Sequence, residues 1–209
     1  MIRRVPGLLA ALLACAAGPL LAQQQLTRAP EAGSAKGGFV EPAKPPSPSA
    51  APAPPAAAST PPNTAPAAPL SAEAQDTLRR INAYRAAGAQ CGQQRFEPAP
   101  PLAWSAKLEQ AASAHARDMA NRRSMSHAGG DGSSMSDRVA RVGYNWGALG
   151  ENVSAGYRSV SEGLEGWMKS PGHCSNIMGA QFREVGVGAA NAPGDSFGWY
   201  RAMVLGSPR

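Results

Sequence analysis

One stretch organises the predicted fold: Ser170-Pro171-Gly172-His173-Cys174-Ser175-Asn176-Ile177-Met178. It carries helix start signals, because Ser170 is a good N-cap and Pro171, which has no N–H, suits the first helical position. His173 then falls in the first turn, where the positive end of the helix dipole disfavours a protonated ring. A neutral imidazole is the form that binds a metal or accepts a proton. The stretch therefore predicts a short helix that presents one histidine.

The N-terminus predicts an export signal over residues 1–22. A basic start, Ile2-Arg3-Arg4, precedes an apolar run that is too short and too interrupted by Gly and Pro for a membrane span. Two cleavages stay open. Ordinary signal peptidase would cut before Gln23, whereas Leu12-Leu13-Ala14-Cys15 resembles a bacterial lipobox that would leave Cys15 lipidated. Both predict an extracytoplasmic protein, periplasmic or secreted, or anchored to the outer membrane as a lipoprotein.

The cysteine count agrees with export. The chain has three cysteines, and an exported protein meets an oxidising compartment in which cysteines pair. Because Cys15 is removed or lipidated in both cleavages, Cys91 and Cys174 remain. We therefore expect a disulfide between Cys91 and Cys174, which would tie the helix of His173 to an earlier loop.

Residues 23–69 predict a Pro/Ala-rich disordered linker. Twelve of the chain's 20 prolines lie between residues 26 and 69, and no apolar periodicity accompanies them. Such a composition favours a semi-extended polyproline-type spacer. Two roles stay open for it. One is a tether that holds the domain away from a membrane or across a wall layer, and the other is a passive leader.

The charge of the chain argues against one class of partner. The formal net charge is +6, and it divides evenly between residues 1–69 and the remainder. No basic stripe with interleaved aromatic residues accompanies this weak charge, so we expect no nucleic-acid partner. An anionic envelope can attract such a chain loosely. We expect contact with a membrane only through the possible lipid anchor at Cys15.

Residues 70–209 predict one folded domain. Apolar residues at helical spacing, bounded by N-cap residues and glycines, predict helices, and alternating residues predict strands. The predicted helices cover residues 71–88, 105–123, 134–142 and 159–169, and the predicted strands cover 150–157, 185–189 and 200–204. The last two strands form an antiparallel hairpin. This order predicts an α+β fold in which helices flank an antiparallel sheet.

Four polar residues of this domain bear on function. His115 lies within the apolar stripe of the second helix, which favours a core histidine over a ligand. His127 lies in a glycine-rich loop, where binding residues are common, although an exposed loop histidine is the simpler interpretation. Glu151 stands beside Gly150 at a strand start, and a solvated charge is its simplest interpretation. Arg138 is expected to pair with a carboxylate that the sequence does not identify.

Seven short motifs follow one another through the folded block. They are Asn82-Ala83-Tyr84-Arg85, Pro101-Leu102-Ala103-Trp104, His115 with Asp118-Met119, Ser126-His127, Gly150-Glu151-Asn152, Trp167-Met168-Lys169-Ser170-Pro171-Gly172-His173 and Val185-Gly186-Val187-Gly188. In this order and spacing they resemble the CAP superfamily, which groups cysteine-rich secretory proteins, venom antigens and plant pathogenesis-related proteins. The bacterial SCP-like branch fits best. The resemblance covers about residues 72–207.

The resemblance implies a fold and a site. The family fold is a three-layer α-β-α sandwich with a mainly antiparallel central sheet, in agreement with the elements predicted above. Family members often have a cavity lined by two histidines and two glutamates. Three of those positions correspond to His127, Glu151 and His173. The second glutamate would lie in the helix around Trp167, where this sequence has Ser170, so the set of four is incomplete.

These residues lead to two functional hypotheses. His127, Glu151 and His173 are candidate catalytic residues and candidate ligands of a divalent metal, Zn or Mg, although no cofactor is required. The first hypothesis is a non-enzymatic envelope module that binds a small apolar ligand or an envelope component, whether lipid, sterol-like molecule, glycan or protein. The second is a metal-assisted hydrolase acting on envelope material. For the hydrolase the sequence offers a general base but no activated nucleophile.

Overall fold

The computed structural model of the chain describes residues 39–41 and 69–209. Helices and strands are mixed along this part of the chain. The helices are α1 (Ala72–Ala87), α2 (Ala106–Arg122), α3 (Met135–Arg141), α4 (Val160–Lys169) and α5 (Pro171–Met178). The strands are β1 (Phe39–Glu41), β2 (Ala89–Cys91), β3 (Gln94–Phe96), β4 (Ala103–Trp104), β5 (Trp146–Ala155), β6 (Glu184–Asn191) and β7 (Trp199–Pro208).

The central sheet of the described residues has the strand order β1-β5-β7-β6-β4. Neighbouring strands are antiparallel, except that β4 and β6 are parallel. β6 and β7 form the hairpin that the sequence predicts, in a register that places Val187 opposite Met203. β2 and β3 form a separate antiparallel pair. The prediction of a mainly antiparallel sheet in an α+β fold is confirmed.

Helices cover both faces of this sheet. On one face, Tyr200 and Val204 of β7 join a buried cluster that includes Leu108 of α2 and residues of α3. On the other face, Met203 and Leu205 of β7 join a second cluster with residues of α1, α4 and α5. Because successive side chains of a strand point to opposite faces, one strand contributes to both cores. The arrangement is the expected three-layer α-β-α sandwich.

Two glycines of β6 allow α2 to lie directly on the sheet. A Cβ atom at Gly186 would lie 2.0 Å from the backbone nitrogen of Glu109, and a Cβ at Gly188 would lie 2.3 Å from that of Ser113. Both distances are far below van der Waals contact, and a helix backbone cannot rotate away as a side chain can. The glycines thus set the separation of the sheet from α2, the helix that carries His115.

α5 follows α4 with one residue between them. Pro171 occupies the first turn of α5, as predicted, but the side chain of Ser170 makes no capping hydrogen bond. Ser170 ends α4 as well as beginning α5, and its backbone N–H donates to the carbonyl of Trp167 at 3.1 Å. The expectation that the Ser170 side chain caps α5 is therefore wrong. Ser71 does cap α1, because its hydroxyl accepts from the N–H of Ala74 at 3.1 Å.

Two long-range connections hold α5 in place. The predicted disulfide between Cys91 and Cys174 is confirmed, and it joins β2 to α5 across 83 residues of sequence. Arg85 of α1 is fully buried, and its Nη1 donates to the carbonyls of Ile177 at 2.6 Å and Gly179 at 3.0 Å. Carbonyls at the end of a helix lack partners within the helix, so this arginine satisfies them.

A short part of the predicted linker forms a strand. Over residues 23–69 we expect no regular structure, yet β1 pairs with β5 as an edge strand of the sheet. Local composition explains the difference, because Phe39 and Val40 favour strands and Pro42 ends one. The export signal, Cys15 and the other linker residues up to residue 68 lie outside the described residues. None of the helices described is both long and apolar enough to cross a membrane.

Candidate functional site

A buried ion pair forms the base of the site. The side chain of Glu151 in β5 is fully buried, and Nη2 of Arg138 in α3 donates to its Oε2 at 2.6 Å. Nη1 of Arg138 donates to the carbonyl of Ser133 at 2.9 Å, which fixes the guanidinium. The carboxylate partner expected for Arg138 is thus Glu151. The interpretation of Glu151 as a solvated charge is wrong, because β5 begins before Gly150, at Trp146, and places Glu151 within the strand.

The other oxygen of Glu151 holds His127. Nδ1 of His127 lies 2.8 Å from Oε1 of Glu151, and an ionised carboxylate can only accept, so Nδ1 donates. Burial by itself would raise the pKa of Glu151, but the hydrogen bond from His127 and the charge of Arg138 outweigh it and keep the pKa below its usual value. Glu151 therefore stays ionised at neutral pH and orients the imidazole of His127.

The loop that carries His127 is anchored by His115. His115 is fully buried in α2, and its Nε2 lies 2.8 Å from the carbonyl of Ser126, the residue before His127. Burial lowers the pKa of His115, which favours the neutral ring. His115 is thus a core histidine, as predicted. The side chain of His127 itself is 28% exposed, so it reaches the surface of the site without being fully solvated.

His173 is the most unusual group of the site. Its side chain is fully buried, and within the described residues neither of its ring nitrogens has a hydrogen-bond partner. Burial, with a smaller contribution from the nearby charge of His127, lowers the pKa of His173 to about 4. The ring is therefore neutral at neutral pH, as the sequence predicts, although burial rather than the helix dipole is the main cause.

Two asparagines fix the backbone of α5 against β5. Nδ2 of Asn152 donates to the carbonyl of His173 at 3.1 Å. Nδ2 of Asn176 donates to the carbonyl of Glu151 at 3.1 Å and to Oδ1 of Asn152 at 2.9 Å. Sequence reasoning missed both residues. The signal was present, since Asn152 directly follows Glu151 and Asn176 lies three residues after His173, on the same side of a helix.

The name histidine cleft is used here for His127 and Glu151 with the nearby His173, which is fully buried and does not line the cavity beside the other two residues. A cavity of about 250 Å³ opens beside His127 and Glu151. Its other lining residues are Ala128, Gly132, Ser133, Ser134 and Met135. Both oxygens of Glu151 are engaged, one by His127 and one by Arg138. In the described part of the chain, no three His, Cys, Asp or Glu side chains are grouped so that they could hold a metal ion.

Comparison with known proteins agrees with this fold and these motifs. The chain belongs to the cysteine-rich secretory protein family, CAP, whose sequence profile matches residues 78–204, more than half of the chain. The match runs from α1 to β7 and includes every residue of the histidine cleft. The protein is therefore a CAP-domain protein.

Two Bacillus subtilis (strain 168) proteins are similar in sequence. Uncharacterized protein YkwD is 31% identical over 88 residues, which are 42% of this chain and 34% of that protein. Uncharacterized membrane protein YlbC is 28% identical over 87 residues, which are 42% of this chain and 25% of that protein. The matches thus cover about a third of the length of YkwD and a quarter of the length of YlbC.

Two solved structures share the fold. The first is an extracellular protein containing a SCP domain from Bacillus anthracis str. Ames. It has a TM-score of 0.54 and 24% identity, with 65% of this chain and 40% of that chain covered. The second is an outer surface protein from Borrelia burgdorferi. It has a TM-score of 0.53 and 14% identity, with 65% of this chain and 92% of that chain covered. At these identities the likeness concerns the fold alone.

Proposed function

We propose that this chain is an exported module of the bacterial cell envelope that binds a ligand in the histidine cleft and performs no catalysis. The observation that carries the proposal is His173, a fully buried, neutral imidazole with two nitrogens that no described residue satisfies. An unsatisfied buried polar group is costly, so it is retained where a bound group completes it. The ligand is a small apolar molecule or envelope component that presents a polar group to this ring.

A divalent metal bound beside His173 would have two protein ligands, because the described residues group no third His, Cys, Asp or Glu side chain with His127 and His173. Neutral imidazole is a common ligand of zinc, and His173 and His127 are the residues that would hold the ion. Glu151 fits a different role, since both of its oxygens are already bonded and it orients the ring of His127 from behind. A zinc ion bound there would supply a Lewis-acidic anchor for an oxygen of the ligand.

The same contacts weigh against a hydrolase. Arg138 and His127 occupy the two oxygens of Glu151, so this carboxylate is not available as a general base. Cys174, next to His173, is bonded to Cys91 and cannot serve as a nucleophile. A binding role therefore agrees better with the site than metal-assisted hydrolysis of envelope material.

Zinc titration of the purified chain, followed by calorimetry, tests the site. We expect one zinc ion to bind. His173→Asn should weaken zinc binding at least ~100-fold, because losing a residue that binds the metal directly costs more than losing a residue that only hydrogen-bonds such a ligand. Glu151→Gln should weaken zinc binding about 10–100-fold, the usual effect of losing a residue that hydrogen-bonds a metal ligand, here His127. Glu165→Gln is the matched control, because Glu165 is exposed on α4, away from the histidine cleft, and its loss should leave the affinity unchanged. Binding of zinc by His173→Asn with unchanged affinity would show that the metal site lies elsewhere.

The location outside the cytoplasm is proposed on three grounds. The first 22 residues have the pattern of an export signal, and Cys91 and Cys174 form a disulfide. The two structurally similar proteins are described as extracellular and as an outer surface protein. Mass spectrometry of the protein recovered from the envelope fraction should find a chain that begins at Gln23 or at a lipidated Cys15. A chain that still carries residues 1–14 would contradict export by either route.

A further inference from the structure

A piece of the N-terminal linker covers the edge of the central sheet beside the histidine cleft. β1 pairs with β5 in a register that places Phe39 opposite Glu151 and Glu41 opposite Leu149. β1 also contacts α5, the helix that carries His173. A segment of three residues thus lies against both elements that build the cleft, although it is far from them in sequence.

The segment is set apart from the rest of the linker by its composition. Between residues 26 and 69, Phe39 is the only aromatic residue and Val40 is the only valine or isoleucine. Gly37-Gly38 precede the segment, and Pro42 follows it. Proline cannot donate to a sheet, so it ends the strand. The linker therefore contains one sequence suited to a strand, and that sequence is the one that pairs with β5.

Among the described residues, β1 is the only strand that pairs with this edge of β5. β5 extends over ten residues, but it pairs with β1 only at Leu149–Glu151. An uncovered strand edge presents N–H and C=O groups that pair with any extended chain. Affinity in such strand addition comes largely from main-chain hydrogen bonds, which every extended segment can make. One occupant of the edge can therefore be replaced by another.

We propose that the edge of β5 at Leu149–Glu151 is a peptide-docking site that takes one extended segment of a partner protein by antiparallel strand addition. Phe39–Glu41 is its intramolecular competitor. The partner segment has aromatic or β-branched residues bounded by glycine or proline, as the linker segment has. Because the competitor belongs to the same chain, its effective concentration is on the order of millimolar, so the partner binds when this segment is displaced. This function goes beyond ligand binding in the histidine cleft and requires no metal.

A double substitution in the full chain, Phe39→Pro with Val40→Pro, tests the proposal. N–H groups of consecutive strand residues alternate between the two edges, so replacing both removes whichever one faces β5. The probe is a fluorescent synthetic peptide with the sequence of residues 37–44, added in trans and followed by anisotropy. We expect the double variant to bind it at least ~10-fold more tightly than the unchanged chain, because the tethered competitor is lost.

Hydrogen exchange supplies a second measurement on the same proteins. Those backbone amides of residues 149–151 that point toward β1 should exchange at least ~10-fold faster in the double variant, and excess peptide should restore their protection, whereas the amides that bond β7 should be unaffected. Ala57→Pro, which adds a proline elsewhere in the linker, should behave as the unchanged chain. A peptide with prolines at its third and fourth positions should bind none of the proteins.

Either of two results would overturn the proposal. One is unchanged protection, in the double variant, of the amides of residues 149–151 that point toward β1. The other is equal binding of the peptide by the double variant and the unchanged chain. Circular dichroism and an intact Cys91–Cys174 disulfide establish that each variant is folded. All measurements are made with a chelator present, so a failure of zinc binding in the histidine cleft does not affect their outcome.

Discussion

Glu151 is the residue on which the geometry of the site depends. Its two oxygens are divided between Arg138 of α3 and His127 of the neighbouring loop. A buried carboxylate is costly unless its charge is compensated and its oxygens are hydrogen bonded, and both conditions are met here. Glu151 therefore acts through His127, because its hydrogen bond to Nδ1 sets the orientation of the imidazole ring.

We predict that Glu151→Gln and Arg138→Met each lower the free energy of unfolding by about 3 kcal/mol, because each leaves an uncompensated buried charge. The double variant should lose at least about 1 kcal/mol less than the sum of the two, since it removes both charges together. Urea denaturation measures all three values. Arg141→Met breaks the exposed pair with Asp131 and is the control, with an expected loss under about 1 kcal/mol.

Additive losses in the Glu151 and Arg138 variants would contradict this account. They would mean that the two side chains contribute to stability through separate contacts. Comparable losses in Arg141→Met would mean that burial is not the cause of the effect, because the side chains of Arg141 and Asp131 are 59% and 54% exposed.

At the scale of elements, α5 is positioned by its neighbours rather than by its own sequence. A helix of eight residues has little stability of its own. The disulfide of Cys174 holds its first half, Arg85 holds its last carbonyls, and Asn176 bonds it to β5. In the chain-entropy model, closing so long a loop stabilises the fold by up to ~4.5 kcal/mol. These contacts keep His173 buried beside β5.

We predict that adding a single methyl group to β6 where it contacts α2 destabilises the protein. Gly186→Ala should lower the free energy of unfolding by about 2–3 kcal/mol, because its Cβ would overlap the backbone of Glu109. Gly147→Ala is the matched control within β5, since the nearest atom lies 3.6 Å from its Cβ and the loss should stay below about 0.5 kcal/mol. Thermal unfolding compares the two. Equal losses would show that the close approach does not determine the effect.

For the whole molecule, the low pKa of His173 predicts loss of stability in acid. The folded protein holds this ring neutral down to about pH 4, whereas the unfolded chain protonates it below its ordinary pKa of 6.5. Between these values the unfolded state binds more protons, so the free energy of unfolding falls as the pH falls. The complete shift corresponds to a loss on the order of 3 kcal/mol.

Urea denaturation at intervals between about pH 7 and pH 4.5, with a chelator present, measures this dependence. We expect the curve of His173→Asn to be flatter than that of the unchanged chain, whatever its absolute stability. Glu151 does not interfere in this window, because its pKa lies below its usual value of 4.5 and its contribution is lost only at lower pH. Parallel curves for the two proteins would show that His173 is not the group responsible.

Much of the fold was predictable because its signals are local. Caps, glycine stops and apolar spacing act over three or four residues, and they identified α1 to α5 and the β6–β7 hairpin. β2 to β4 were missed because they have only two or three residues each. β1 was missed because a strand of three residues has no periodicity and forms only where β5 offers an edge.

The sequence by itself determined α1 to α5, the β6–β7 hairpin and the cysteine pair, because each has a signature in residue type, spacing or number. His127, Glu151 and His173 were identified as a set through the family resemblance of the motifs. Tertiary structure alone decided what those residues can do. It joined Arg138 to Glu151, left both nitrogens of His173 without a partner in the described residues, and placed β1 on the edge of β5. Such contacts join residues far apart in the chain. They become favourable only after the helices have packed on the sheet, because only then are the polar groups buried and in need of partners.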